Sequence, residues 1–437
     1  MGQPIRTPVN LHAAQRPVSD HLTISGLLVG GYLAVFLCKS DNCMWVLGKL
    51  SFRPQFPLLA SLGMLAIVLW YCASGKVSRL LKGCRGFIMA FALIAWISLV
   101  GAVLPDANFT NGGVEVIKPT IDFLLFLFAF PLAILFVSTA NWKLTCGLAL
   151  CGSVISIVVD AVSPGTFSTL DNRPAGFGVN ANMGAAQTGL LLIGVLDWKR
   201  PSLSLTNCGW CLWAFMGVFM TLSRSGILLL AIVWTMYACL SLRRNGVWTV
   251  VLLGGLACGV GGYALTVADV AKNVLPMLDS THSRMKLFTG EFDAIDTSED
   301  ARLTLVHEYV DLISEHPILG WGTGYNAAAQ SGSHNMFLTR WVDNGIFSVG
   351  AYIFLIGMLC RVGITYQSWE CVAIAINLAG QSFFSHNLLE DNTLLFMMAI
   401  SAGRAVLIAP LPALAKNAIG GSGIIPYPRS SPLAKAG

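Results

Sequence analysis

Charge is what this sequence holds least of. Charged residues make up 11% of its 437 positions, against about 25% in soluble globular chains. Hydrophobic residues make up 55% and come in long unbroken runs. A soluble core cannot absorb so many, which excludes an ordinary water-soluble domain. Strict apolar–polar alternation over about 10 residues is also lacking, which excludes a transmembrane β-barrel. The net charge of +5 is spread over short segments, so the clustered basic footprint of a nucleic-acid binder is absent. No His-Glu-x-x-His appears, as a zinc protease would need. No Gly-x-Ser-x-Gly appears, as an α/β-hydrolase would need. The glycines at Gly320, Gly322 and Gly324 are not followed by the lysine of a phosphate loop.

What is there is a series of apolar stretches. A helical crossing takes about 20 apolar residues. Runs fall at roughly 22–38, 57–74, 86–104, 120–138, 144–162, 182–198, 207–222, 226–242, 247–267, 346–360, 371–385 and 393–408. The expectation is an all-α, polytopic bundle of about 12 transmembrane helices spanning 22–410. A polar N-terminal tail (1–21) precedes it and a Gly-, Pro- and Ser-rich disordered tail (411–437) follows. The first run reads as a retained anchor, since no small-residue cleavage site stands out.

Lysine and arginine bias sets the orientation. With the N-terminus inside, 16 of the 27 basic residues fall on the cytoplasmic side. They include Lys199-Arg200, Arg243-Arg244 and the cluster Lys76, Arg79, Lys82 and Arg85. Both termini are then cytoplasmic.

The cysteines, 12 in all, lie mostly in or beside apolar runs, where they act as small hydrophobes. Cys38 and Cys43 flank a turn and could pair in an oxidising compartment. Cys208-Gly-Trp-Cys211 has the spacing of a redox pair but lacks its βαβ context.

One segment is different. Residues 268–345 hold 11 of the 22 acids, four of the seven histidines and no cysteine. This long loop falls on the external side. Within it Leu303, Val306, Val310 and Ile313 recur at helical spacing, which predicts a short amphipathic helix lying on the membrane face. His316-Pro317 should end it, because the residue before proline disfavours helix. His334 sits just before the next run.

Two further external features precede the loop. Arg173 lies in Asp171-Asn-Arg-Pro-Ala-Gly-Phe-Gly-Val-Asn-Ala-Asn182, between two apolar runs. Arg224 lies in the short turn Ser223-Arg-Ser-Gly226. Arginine offers phosphate a planar, permanently charged fork of donors. Histidine can take a proton from a sugar hydroxyl near neutral pH. Arg173, Arg224 and Arg302 gathered at a membrane surface with His334 would suit glycosyl transfer from a lipid diphosphate. Each residue also has a plainer reading. An arginine at a helix end is often a snorkelling anchor, the glycine run can be a turn, and the amphipathic helix can simply shield the bundle. His307, Glu308 and His316 could in principle meet a metal.

In their order, Ser223-Arg-Ser-Gly226, Arg302, His316-Pro-Ile-Leu-Gly-Trp-Gly-Thr-Gly324, His334-Asn-Met-Phe-Leu338 and Asp343-Asn-Gly345 resemble the O-antigen ligase and polysaccharide polymerase superfamily. Arg173-Pro-Ala-Gly176 with Asn182 is similar to that family's earlier motif. The resemblance implies a bacterial inner-membrane, inverting glycosyltransferase that needs no metal and no cofactor. Its donor would be an undecaprenyl-diphosphate-linked oligosaccharide. By position Arg173, Arg224 and Arg302 would hold the diphosphate, and His334 would activate or orient the acceptor hydroxyl. Expected partners are membrane lipids and the chain-length regulator and flippase of the same pathway, with no nucleic acid. The acidic character of the loop departs from a simple cationic funnel.

The expected activity is polymerisation of lipid-linked repeats for an exopolysaccharide or O-antigen. The alternatives are a ligase moving the finished glycan to lipid A-core, a transporter or flippase, and a non-catalytic assembly scaffold. A transporter should carry ionisable residues in mid-membrane. Here Asp122 and Asp160 lie near the ends of runs, and Asp197 lies beside a basic pair.

Overall fold

The computed structural model describes residues 21–50, 55–104, 114–168, 173–245, 297–328, 334–385 and 388–409. The tails and the run 247–267 lie outside them. Among the described residues there are helices and no strands, as the lack of alternation implies.

In chain order the helices are α1 (Ile24–Leu37), α2 (Ser40–Val46), α3 (Gln55–Cys72), α4 (Ser74–Gly101), α5 (Val114–Ala129), α6 (Thr139–Val162), α7 (Ala181–Val195), α8 (Leu205–Met220) and α9 (Arg224–Asn245). After the long loop come α10 (Thr297–Glu315), α11 (Tyr325–Ala328), α12 (Met336–Thr365), α13 (Trp369–Gln381) and α14 (Asn392–Ile408). Their starts follow capping chemistry. Thr23, Ser204, Asn335 and Asp391 each accept a backbone N–H of the following turn through a side-chain oxygen, which satisfies donors the helix cannot.

Helices α7 and α14 sit at the centre, and α7 packs against α6, α8, α9, α13 and α14. Both are buried almost all round. The outer helices instead carry exposed apolar stripes. On α4 the exposed Met89, Leu93, Trp96 and Val100 are spaced as one helix face. Apolar surface on this scale marks contact with lipid.

Five helical segments are long and apolar enough to cross a bilayer: Ser74–Gly101, Ile117–Ile134, Thr139–Val162, Arg224–Leu242 and Met336–Thr365. The bent pair α1 and α2, with 41° between them, would make a sixth. The apolar helices Pro57–Cys72, α7, α8 and α14 are shorter, and α13 has 13 residues. Twelve full crossings are therefore not what the described residues display. Caps and turns trim the apolar runs. Trp198, counted in one run, lies beyond the end of α7 and donates its Nε1 back to the Ile193 carbonyl at 2.7 Å.

The basic cluster 76–85 also differs from expectation. It is not a loop but the opening turns of α4. Lysine and arginine are good helix formers, and nothing in this stretch breaks the helix. Arg79 donates to the Ala409 carbonyl at 2.7 Å, just past α14. The possible Cys38–Cys43 disulfide is not formed: both thiols are free, and Cys38 Sγ donates to the Val35 carbonyl at 3.3 Å. Cys208 and Cys211 are free as well. They sit on the first two turns of α8.

The predicted amphipathic helix is α10. It runs a little longer than its apolar repeat and stops at Glu315, before His316-Pro317. Val306 and Val310 are exposed on it.

Candidate functional site

Several helix ends meet at one end of the bundle. The N-termini of α7, α9, α12 and α14 and the C-terminus of α13 surround a cleft of about 130 Å³. Its walls include Asn180, Asn182, Ser225, Gly226, His334, Gln381 and Asp391. Residues from three separate sequence motifs therefore line one cavity.

The Arg173 loop is fixed from below by Asp160, a fully buried carboxylate near the end of α6. Its Oδ2 accepts the backbone N–H of Ala175 at 2.7 Å and of Gly176 at 3.2 Å. Its Oδ1 accepts Phe167 N–H at 3.0 Å and Ser168 N–H at 3.3 Å. A carboxylate that takes several backbone N–H bonds orders its loop. Glycine is required where this loop touches the bundle. Gly176 has φ +54°, and a Cβ on Gly178 would come within 2.5 Å of Gly184 N.

Arg173 itself turns into the protein. Its Nη2 donates to Asn182 Oδ1 and to the Thr221 carbonyl, each at 3.3 Å, and to the Leu222 carbonyl at 3.5 Å. Those carbonyls close the end of α8, a role cationic side chains often take. Ser223 Oγ also donates to Asn182 Oδ1, at 3.0 Å. The Arg173 motif and the Ser223-Arg-Ser-Gly226 turn are thus stitched together through Asn182.

Ser223 starts α9. Its Oγ accepts Gly226 N–H at 3.2 Å and its carbonyl accepts Ile227 N–H at 3.0 Å. A Cβ on Gly226 would collide with Ala185 Cβ, so only glycine lets α9 start hard against α7. Arg224 is exposed at the first position of α9. A cation at the positive end of a helix is electrostatically unfavourable.

His334 is exposed and has φ 50°. The next residues anchor it. Asn335 Oδ1 accepts Phe337 N–H at 2.9 Å and Leu338 N–H at 3.2 Å. Met336 N–H donates to the Ser382 carbonyl at 2.8 Å, which ties the start of α12 to the end of α13.

Backbone strain collects here. Among the described residues five non-glycine positions have positive φ: Lys39, Val179, Leu222, His334 and Gln367. All but Gln367 lie in the cleft wall or the loops that build it. Strained residues persist where the surroundings over-determine them, which is common at functional sites. Lys39 pairs with Asp391 at 2.7 Å, both nearly buried. The Leu37 carbonyl, released by the break after α1, accepts Gln187 Nε2 at 2.6 Å and Thr393 Oγ1 at 3.0 Å.

The motif His316–Gly324 braces α12 from the outside. α12 breaks at Asn344 and Gly345, the latter at φ 69°. Trp321 N–H donates to the Val342 carbonyl at 2.8 Å, and Gly322 N–H to that of Asp343 at 2.9 Å. Ile346 N–H donates to the Pro317 carbonyl at 3.2 Å. A side chain on Gly345 would run into the Ile318 carbonyl. The glycine run is therefore a tight brace against the start of this span.

Residues 209–355 match the family model described as O-antigen ligase. Over that third of its length the chain is similar to O-antigen ligases. A search of the curated proteins found no match. The matched stretch runs from α8 into α12. It includes the Arg224 turn, α10, the brace and His334, and leaves out the Arg173 loop. The apolar helices of spanning length agree with a membrane protein, and the match adds a likeness to O-antigen ligases over residues 209–355.

The structure brings together His334, the Ser225 end of the Arg224 turn, and Asn182 with Arg173 behind it. Arg302 is on α10, and its side chain lies outside the described residues, as do Asp171 and Asn172. Among the described residues no three of histidine, cysteine, aspartate and glutamate gather as a metal site, so His307, Glu308 and His316 form none. Sequence reading missed Asp160, Gln381 and Asp391. The signal for the last two was available: Gln381, Ser382 and Ser385 interrupt the end of an apolar run, and Asp391 stands directly before another.

Proposed function

We propose that this protein polymerises undecaprenyl-diphosphate-linked oligosaccharide repeats at the external face of a bacterial inner membrane. The observation that carries this is the cleft in which His334, Ser225, Gly226 and Asn182 share one wall system, with Arg224 at the adjacent helix start. The diphosphate sits against Arg224 and the N-terminus of α9, with Arg302 as a further ligand. Its departure needs charge stabilisation more than covalent help. His334 orients the acceptor hydroxyl or takes its proton as the glycosidic bond forms with inversion. Arg173 serves differently from the role its motif suggests. Engaged with Asn182 and the end of α8, it positions the turn that presents Arg224.

Ligation of the finished glycan to lipid A-core is the second reading within the class. The lipid-carrier profile of a deletion strain separates them. Single repeats left on the carrier support polymerisation, and full-length polymer left on the carrier supports ligation. An unchanged carrier profile would remove both.

A further inference from the structure

We infer that the cleft between the ends of α7, α9, α12, α13 and α14 is a subsite for a neutral sugar ring of the acceptor, separate from the place where the diphosphate binds. The inference rests on the glycosyl-transfer reading above and concerns what occupies the cavity beside His334.

The lining chemistry decides between sugar and phosphate. Among the described residues no arginine lines the cavity. Its one carboxylate, Asp391, is already neutralised by Lys39 at 2.7 Å. A pocket without net positive charge is a poor host for a diphosphate. A sugar hydroxyl both donates and accepts, so it needs a wall that offers both. The oxygens of Asn180 and Asn182 are engaged: Asn180 Oδ1 accepts Asn182 N–H at 2.9 Å, and Asn182 Oδ1 accepts from Arg173 and Ser223. These carboxamides can therefore present N–H donors. Gln381 is the reverse. It is 4% exposed, and its Nε2 donates to Asn377 Oδ1 at 2.6 Å. Its carbonyl oxygen is the acceptor it can offer. Phe384 and Leu388 on the same wall supply an apolar face of the kind that packs on the C–H side of a sugar ring. The mixed donors, mixed acceptors and apolar patch fit a neutral polyhydroxyl ring.

The test uses the full-length protein in native membranes. Ser385→Cys and Met183→Cys, both in the lining, are each reacted with a water-soluble maleimide, and modification at that position is read by mass spectrometry. The competitors are a panel of methyl glycosides, inorganic pyrophosphate and an acyclic polyol. At least one methyl glycoside is expected to slow modification at both positions, with pyrophosphate and polyol without effect. Gln381→Leu should weaken that protection about tenfold, the loss of one buried hydrogen bond. Protection by pyrophosphate, or by no glycoside at all, overturns the inference. Loss of polymer in Arg224→Ala and His334→Ala without glycoside protection leaves the glycosyl-transfer reading standing and removes this one. Protection in a protein whose Arg224 and His334 variants make normal polymer does the reverse.

Discussion

At the far end of the bundle Arg404 is committed to the fold. Its Nη1 donates to both oxygens of Glu370, at 3.2 and 2.9 Å, and its Nε donates to the Phe136 carbonyl at 2.7 Å. Trp142 Nε1 and Ser401 Oγ also donate to Glu370, at 2.7 and 2.6 Å, and the guanidinium lies over the Trp142 ring. At the opposite end Arg224 stands exposed on a helix start that does not favour it, and His334 is held in a strained conformation beside an open cleft. The same side-chain types are used to lock one end and to equip the other. Burial with full pairing accounts for Arg404 structurally, whereas Arg224 and His334 stand where the proposed chemistry would act.

The variants that would break this contrast can be ranked. Glu370→Ala should cost most, about 3–5 kcal/mol, because it leaves a buried guanidinium without its partner. Thermal unfolding in detergent should show it, with protein level and polymer falling together. Next come Arg224→Ala, Arg302→Ala and His334→Ala. Each should lower polymer at least ~100-fold, the scale for a group acting on developing charge, while immunoblots show normal protein. Arg224→Lys should also be impaired, since the bidentate fork is lost. Normal polymer from all three alanine variants would end the site assignment.

Asp160→Asn should cost about 1.5–3 kcal/mol. Limited proteolysis should then cut residues 163–180 faster, with polymer reduced at near-normal protein level. Arg173→Lys should have the smallest effect, about 1 kcal/mol, because its bonds to carbonyls and Asn182 are long and one ammonium can replace some of them. If it silences the protein as fully as Arg224→Lys, Arg173 touches the diphosphate after all.

Much of this was legible in the chain. The helix positions followed the apolar runs, and the stop at Glu315 followed from His316-Pro317. The placement of Ser223–Gly226 as a tight turn between helices also held. The rest depended on contacts that no local pattern carries. Lys39 and Asp391 are 352 positions apart. Asp160 reads as a polar end of an apolar run until its loop folds back on it. Arg173 carries the same type of side chain as Arg224, and only the fold turns one inward and leaves the other out. Apolar runs do not by themselves give the number of crossings, for a related reason: apolar residues belong equally to a lipid-facing span and to a short helix enclosed by others.

Those short enclosed helices, α7 and α14, have 15 and 17 residues, or about 22–26 Å at 1.5 Å per residue. Flanking α4 has 28 residues, or about 42 Å. The two central helices are thus much shorter than α4 beside them. The cleft lies above the starts of α7 and α14, and a larger hollow of about 190 Å³ lies beyond their other ends. In a bilayer, water filling both depressions would narrow the insulating slab locally, just where the proposed donor's headgroup would arrive.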